Sequence, residues 1–193
     1  IYPTIKIETN EEMAAFLSIS GACFFEDGTS ILGQYVDIAI GKTKLFTLDE
    51  YGEIQIVSLK DKTITNIPMK SFVHSIAAVD DMLIAILSHK RYAIIKGINQ
   101  IKIYNTSFNI EYCQSGINEI LISGEGSLLI INAKEEQKII KYPQRVGDIL
   151  QITKYQQNYI IIGSSSPPIK LLEEPIKSNQ NPSFSEMKLL SLH

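Results

Sequence analysis

Side chains able to do chemistry are few in this chain, and they are scattered. The three histidines are His74, His89 and His193. A zinc site draws its ligands from close pairs, such as two His one helical turn apart or Cys-x-x-Cys. None of the three histidines has such a neighbour. The two cysteines, Cys23 and Cys113, stand far from each other and from any histidine. The tandem carboxylates Asp80-Asp81 have the chemistry of a cation ligand or an acid–base pair. They lie between two apolar runs, where they read as solvated turn residues. Gly124-Glu125-Gly126 is not a phosphate cradle, because no helix-forming run follows it. Gly163-Ser164-Ser165-Ser166 lacks the closing glycine of a nucleophile elbow. The sequence therefore nominates no catalytic, cofactor-binding or metal-ligating set, and it points away from an enzyme.

Bulk properties narrow the partners. The 193 residues carry a formal net charge of −3 with both signs interspersed. Direct contact with nucleic acid normally needs a basic face, and none is read. The lysines at Lys42–Lys44 and Lys138–Lys141 read as solvated loop residues. Hydrophobic residues make up 45% of the chain, with isoleucine dominant. No apolar run reaches the roughly 18–20 residues that a spanning helix requires, so no membrane is expected. The two cysteines read as small, half-buried apolar residues in a reducing compartment, with a disulfide between them as the alternative. No signal peptide is read, so the expected location is intracellular, nuclear or cytoplasmic. Asn105-Thr106-Ser107 has the form of a glycosylation sequon, a triplet that often arises by chance.

The elements that would position any site are strands. Tyr2 to Glu8 alternates. Thr9 and Glu12 then form a capping-box pattern, and Met13 to Leu17 reads either as one or two helical turns or as a strand through Ile19. From Ala22 onward the chain reads strand, turn, strand. Cys23-Phe24-Phe25 runs into the turn signal Glu26-Asp27-Gly28-Thr29. A three-strand unit follows over Ile38–Ile56, with a turn at Asp49 to Gly52. It recurs at Ile76–Ile94 and Tyr112–Ile130, and more weakly from Leu150 to Ile162. The shifts are about 38 and about 74 residues, so the unit is roughly 36–40 residues long, the length of a propeller blade. The stretch from Ala22 to Gly33 reads as a worn first copy. One such sheet cannot bury both faces, whereas several stacked around an axis can. The expected fold is all-β: a small or incomplete β-propeller of about four to five short repeats. Residues 1–172 form this repeat domain. Residues 173–193 form a tail with a short C-terminal helix candidate, capped at Ser183 and apolar at Phe184, Met187 and Leu190.

The run Ile38-Ala39-Ile40-Gly41-Lys42-Thr43-Lys44-Leu45-Phe46-Thr47-Leu48, followed by Asp49 to Gly52, resembles a repeat of the regulator-of-chromosome-condensation propellers. Ile76 to Ile86 keeps its small pair and apolar alternation, and Cys113 and Gly126 keep single elements. The family histidine is replaced by Lys44, Met82 and Asn118, and its glycine survives only at Gly41. A WD-repeat-like propeller is the second resemblance. The first implies guanine-nucleotide exchange on a small GTPase, an activity exerted by binding alone. The lost histidine and glycines favour the architecture over that activity.

The expectation for function is thus a non-catalytic protein–protein interaction or scaffold propeller, a subunit of a larger assembly, with exchange on a small GTPase as the alternative. Repeat proteins bind through loops. The loop residues nominated for contact with other proteins are Lys60, Lys62, His89, Arg91, Glu135 and Lys138, together with Phe184, Met187 and Leu190 on the tail. No cofactor is expected.

Overall fold

The computed structural model describes residues 4–142, 149–155, 158–164 and 169–172. These form five antiparallel sheets in chain order, with no helix among the described residues. Sheet one is β1 (Thr4–Thr9), β2 (Ala14–Ser18), β3 (Cys23–Phe25) and β4 (Ser30–Ile31). Sheet two is β5 (Tyr35–Ile40), β6 (Lys44–Asp49), β7 (Ile54–Ser58) and β8 (Ile64–Ile67). Sheet three is β9 (Ser75–Val79), β10 (Met82–Ser88), β11 (Arg91–Gly97) and β12 (Gln100–Asn105). Sheet four is β13 (Tyr112–Ser115), β14 (Glu119–Gly124), β15 (Ser127–Asn132) and β16 (Gln137–Lys141). Sheet five is β17 (Ile149–Tyr155), β18 (Asn158–Gly163) and β19 (Ile169–Leu172). Each sheet is a simple meander; the first strands of sheets one to four meet in chain order, and sheet five meets sheet four through β17 and β14. This is the blade arrangement of a β-propeller.

Two-sided burial explains the near-continuous apolar strands. In β9, Ile76 and Ala78 face the cluster shared with sheet two, while Ala77 and Val79 face the one shared with sheet four. In β10, Leu83, Ala85 and Leu87 go one way and Met82, Ile84 and Ile86 the other. A period of two thus serves two cores at once. Similar clusters join sheets one and two through Leu17, Phe25, Ile38 and Leu45, and sheets four and five through Leu121, Leu128, Ile152 and Tyr159. The far side of sheet one differs. Ile5 and Ile7 there are 56% and 58% exposed, and the described residues place no buried cluster against them.

One feature of the sequence reads differently in the structure, and one open alternative is decided. The first repeat begins at Thr4 rather than Ala22, so the supposed worn copy is the second half of a full blade. The segment after Thr9 is a turn into a strand, and no helix forms. Its cap is Asn10, whose side-chain oxygen accepts from the Glu12 and Met13 amides. That Asx turn outcompetes the Thr9–Glu12 capping box, and the alternating burial of Ala14–Ser18 against β1 and β3 then selects the strand. The tail 173–193, with its helix candidate, lies outside the described residues.

The turns carry a clear steric rule. A Cβ at Gly41 would stand 2.0 Å from the Asp80 carbonyl oxygen, and one at Gly124 would stand 1.8 Å from that of Asn109. Both obstacles are backbone of a different hairpin or linker, so neither yields cheaply. Gly41→Ala and Gly124→Ala should each destabilise the protein by roughly 2–3 kcal/mol. Urea unfolding measures this, and a loss below about 0.5 kcal/mol would show that the blades are not packed this closely.

Candidate functional site

The first strands β1, β5, β9, β13 and β17 meet along an axis. Each bonds its own second strand on one edge only, which leaves alternate N–H and C=O groups aimed at the neighbouring blades. These groups are answered by side chains. Asp37 on β5 accepts from the Ile76 amide of β9 at 2.9 Å. Ser115 on β13 accepts from the Ala78 amide at 3.0 Å. The Gln114 amide clamps Ile152 of β17 on both sides, donating to its carbonyl at 2.6 Å and accepting from its N–H at 3.3 Å. Lys6 on β1 donates to the Ile38 carbonyl at 2.8 Å. These bonds span 39, 37, 38 and 32 residues respectively, close to one blade each.

A charged group lies within this network. Lys6 Nζ is 2.6 Å from Asp37 and 3.2 Å from Glu8. Burial alone would lower the Lys6 ammonium, but the two carboxylates together hold it above its ordinary value. Glu8 is pushed up by burial, against the pull of Lys6.

Where the first strands end, the blades enclose a cavity of about 660 Å³. All five blades line it, and Gln114, Ser115, Gln151 and Thr153 contribute neutral polar groups. Its carboxylates are Glu8, Glu11, Glu12, Asp80 and Glu119, and its lysines are Lys42 and Lys154. The wall is therefore net acidic. Glu119 is only 7% exposed. Its Oε2 accepts from Tyr159 at 2.8 Å and from Lys154 at 3.1 Å. Its Oε1 is buried and has no hydrogen-bond partner.

The nominated loop residues lie elsewhere. Lys60 and Arg91 are exposed at hairpin ends. Lys62 is half-buried and pins blade two to blade one, with its ammonium 3.8 Å over the Phe25 ring and 3.6 Å from Asp27. Glu135 binds Lys96 and Lys102 at 2.8 and 3.0 Å and so clamps blade four to blade three. Lys138 is half-buried on β16. His89 shares a smaller cavity, about 240 Å³, with His74, Glu111 and Tyr112. Among the described residues no cluster of three metal-ligating side chains forms. The Asp80–Asp81 turn does structural work: Asp81 accepts from the Thr43 N–H and hydroxyl at 2.8 and 2.6 Å, locking blade three to blade two. Glu125 likewise accepts from the Asn109 N–H at 2.9 Å. Cys23 and Cys113 are free thiols. Burial pushes Cys23 up to about 11 and raises Cys113 as well, so neither is an activated nucleophile. Phe184, Met187 and Leu190 lie outside the described residues. None of the cavity carboxylates was nominated as a contact residue from the sequence.

No family model matches the sequence. No curated protein matches it either. Solved structures do match in shape. The chain is similar to the β-propeller domain of Cps50 (Swd1) from Myceliophteria thermophila, with a TM-score of 0.67 at 11% identity, over 98% of this chain and 72% of that one. It is similar to human WBSCR16, with a TM-score of 0.64 at 10% identity, over 87% of this chain and 61% of that one. It is also similar to YCF48 bound to D1 peptide, with a TM-score of 0.62 at 7% identity, over 88% and 65%. At such identities the likeness shows the fold alone: the chain is a β-propeller. It spans less than two thirds of the length of the last two.

Asp37→Asn isolates the axial network. Asp37 also accepts from its neighbour Ile38, so its two oxygens serve three donors. An amide keeps one acceptor and turns an N–H₂ toward a donor. The variant should lose about 2 kcal/mol at neutral pH. The ion-pair part of the wild-type advantage is fully present below the ordinary lysine pKa and is lost as pH rises through the raised Lys6 value. Urea unfolding of both proteins at pH 8 and at a pH above the ordinary lysine value of 10.5 tests this. A gap that is absent at pH 8, or that widens with pH, contradicts the network.

Proposed function

We propose that this chain is a non-catalytic interaction propeller that receives an extended segment of a partner protein at the mouth of the axial cavity. The observation that carries this reading is the cavity itself: every described blade contributes to it, and its wall is polar, net acidic and concave. Loops and strand ends held by a rigid scaffold are where such proteins bind. The likeness to YCF48 bound to D1 peptide supports a propeller scaffold able to hold a peptide. The free, unactivated thiols support an intracellular setting.

A photo-crosslinking amino acid placed at exposed Glu11 or Gln151, on the cavity wall, should capture a partner in native lysate. The same group at Lys60 or Arg91 should capture little. Capture confined to Lys60 and Arg91 would overturn the assignment of the site. Accelerated nucleotide release from a small GTPase would replace it with the exchange-factor reading that the repeat resemblance implies.

A further inference from the structure

We infer that the two end faces of the five-blade arc are a seat for a partner polypeptide that brings about two further β-blades and closes the ring. This goes beyond the proposed peptide site and uses other surfaces, so either can fail alone. The first observation is a repeated joint. Pairs of a polar residue and an isoleucine recur in the first strands: Lys6-Ile7, Asp37-Ile38, Ser75-Ile76 and Gln151-Ile152. The isoleucine packs back onto the preceding blade, and its main chain is pinned from there: Ile38 by Lys6, Ile76 by Asp37, Ile152 by Gln114. Those three isoleucines are at most 1% exposed, whereas Ile7 is 58% exposed. Blade one therefore carries a socket without a pin. Blade five carries the converse. Gln151 holds the pinning position and is exposed, and no following blade stands before it among the described residues. Both ends are apolar as well. Ile7 pairs with Phe16 and Phe16 with Phe24, a row across three strands on the side opposite Leu17 and Phe25. On blade five, half-buried Ile160 and Ile162 alternate with buried Tyr159 and Ile161. The apolar clusters of the described residues join neighbouring blades from one to five, and none joins blade five to blade one.

Room and chemistry select the occupant. With five blades the chain matches 72% of the Cps50 propeller domain, so a ring of that size has places for about two more. A second copy brings five blades and does not fit. Residues 173–193 are too few for even one blade of roughly 36–40 residues. A helix would cover the phenylalanine row, but its main chain is bonded internally and offers Gln151 nothing to clamp. A blade offers Gln151 the free edge of its first strand, as Ile152 offers Gln114. The partner's sheets are therefore apolar on both faces, and a polar first-strand side chain reaches the main chain of Ile7.

The test places a photo-crosslinking amino acid at Ile5 or at Ile162, both outside the cavity wall, in the whole protein expressed in its native cells. Mass spectrometry of the adducts reads the attachment points. Both positions should attach to one and the same polypeptide, at points about one blade length apart and within segments of strand-like alternation. The same group at Ile103, exposed on the outer strand β12, should not attach to it. Gln151→Ala should weaken co-purification of that polypeptide about 10-fold, and Ile7→Asp should weaken it further. Thermal melting of the isolated chain should be unchanged by either substitution, because both side chains are exposed there. Adducts to residues 173–193, to a second copy or to sequence continuous with this chain overturn the partner. Adducts to a different polypeptide at each end, or none at either, overturn the seat itself. The cavity crosslink at Glu11 remains a separate readout of the peptide site.

Discussion

A propeller blade has a troublesome inner edge. Its first strand is paired on one side only, and the other side faces neighbours that lie too steeply to continue the ladder. In this protein the unmatched backbone groups are taken up by side chains from adjacent blades: Asp37 for Ile76, Ser115 for Ala78, Gln114 for Ile152. Each bond joins two blades and satisfies a main-chain group at the same time. Leaving such a group unpaired would cost on the order of 1–3 kcal/mol. The apolar clusters between blades hold the sheets face to face, but they are non-directional. The polar pins set how far one first strand slides past the next, and so they set the shape of the cavity.

The cavity is a by-product of the same arrangement. First strands that must present polar side chains to their neighbours also present them to the axis. Glu8 and Glu119 are extreme cases. Glu8 is balanced by Lys6, and so contributes to the frame. Glu119 is balanced on one oxygen only, by Tyr159 and Lys154 of the fifth blade. Outside the axis, Lys62, Glu135 and Asp81 perform similar pinning between neighbouring blades.

Much of the fold was legible in the sequence. Hydrophobic alternation and the Asp27-Gly28, Asp49–Gly52 and Asp80-Asp81 turns located the hairpins, and the unit spacing reappears as pins spanning 37 to 39 residues. The first blade was misplaced because the Thr9–Glu12 capping-box pattern left its second strand open between helix and strand, and its third and fourth strands are only three and two residues long. The site was not legible. Asp37, Gln114, Ser115 and Glu119 are ordinary polar letters within or beside strands, and their importance comes from partners about one blade away. Conversely, Lys62 and Glu135 looked like solvent-facing loop charges, yet the structure holds them in inter-blade contacts. A recurring polar position in first strands, read at the repeat spacing, is the signal that could have found the axial set.

The central claim is that side chains of one blade close the free edge of the next. Amide hydrogen exchange at Ile76 and Ala78 tests it most directly, because neither amide's assigned acceptor belongs to its own sheet. The account predicts that both exchange as slowly as the ladder amides of β10 beside them, and that Asp37→Asn speeds Ile76 selectively. Rapid exchange at Ile76 and Ala78 in the native protein, with β10 still protected, would contradict it.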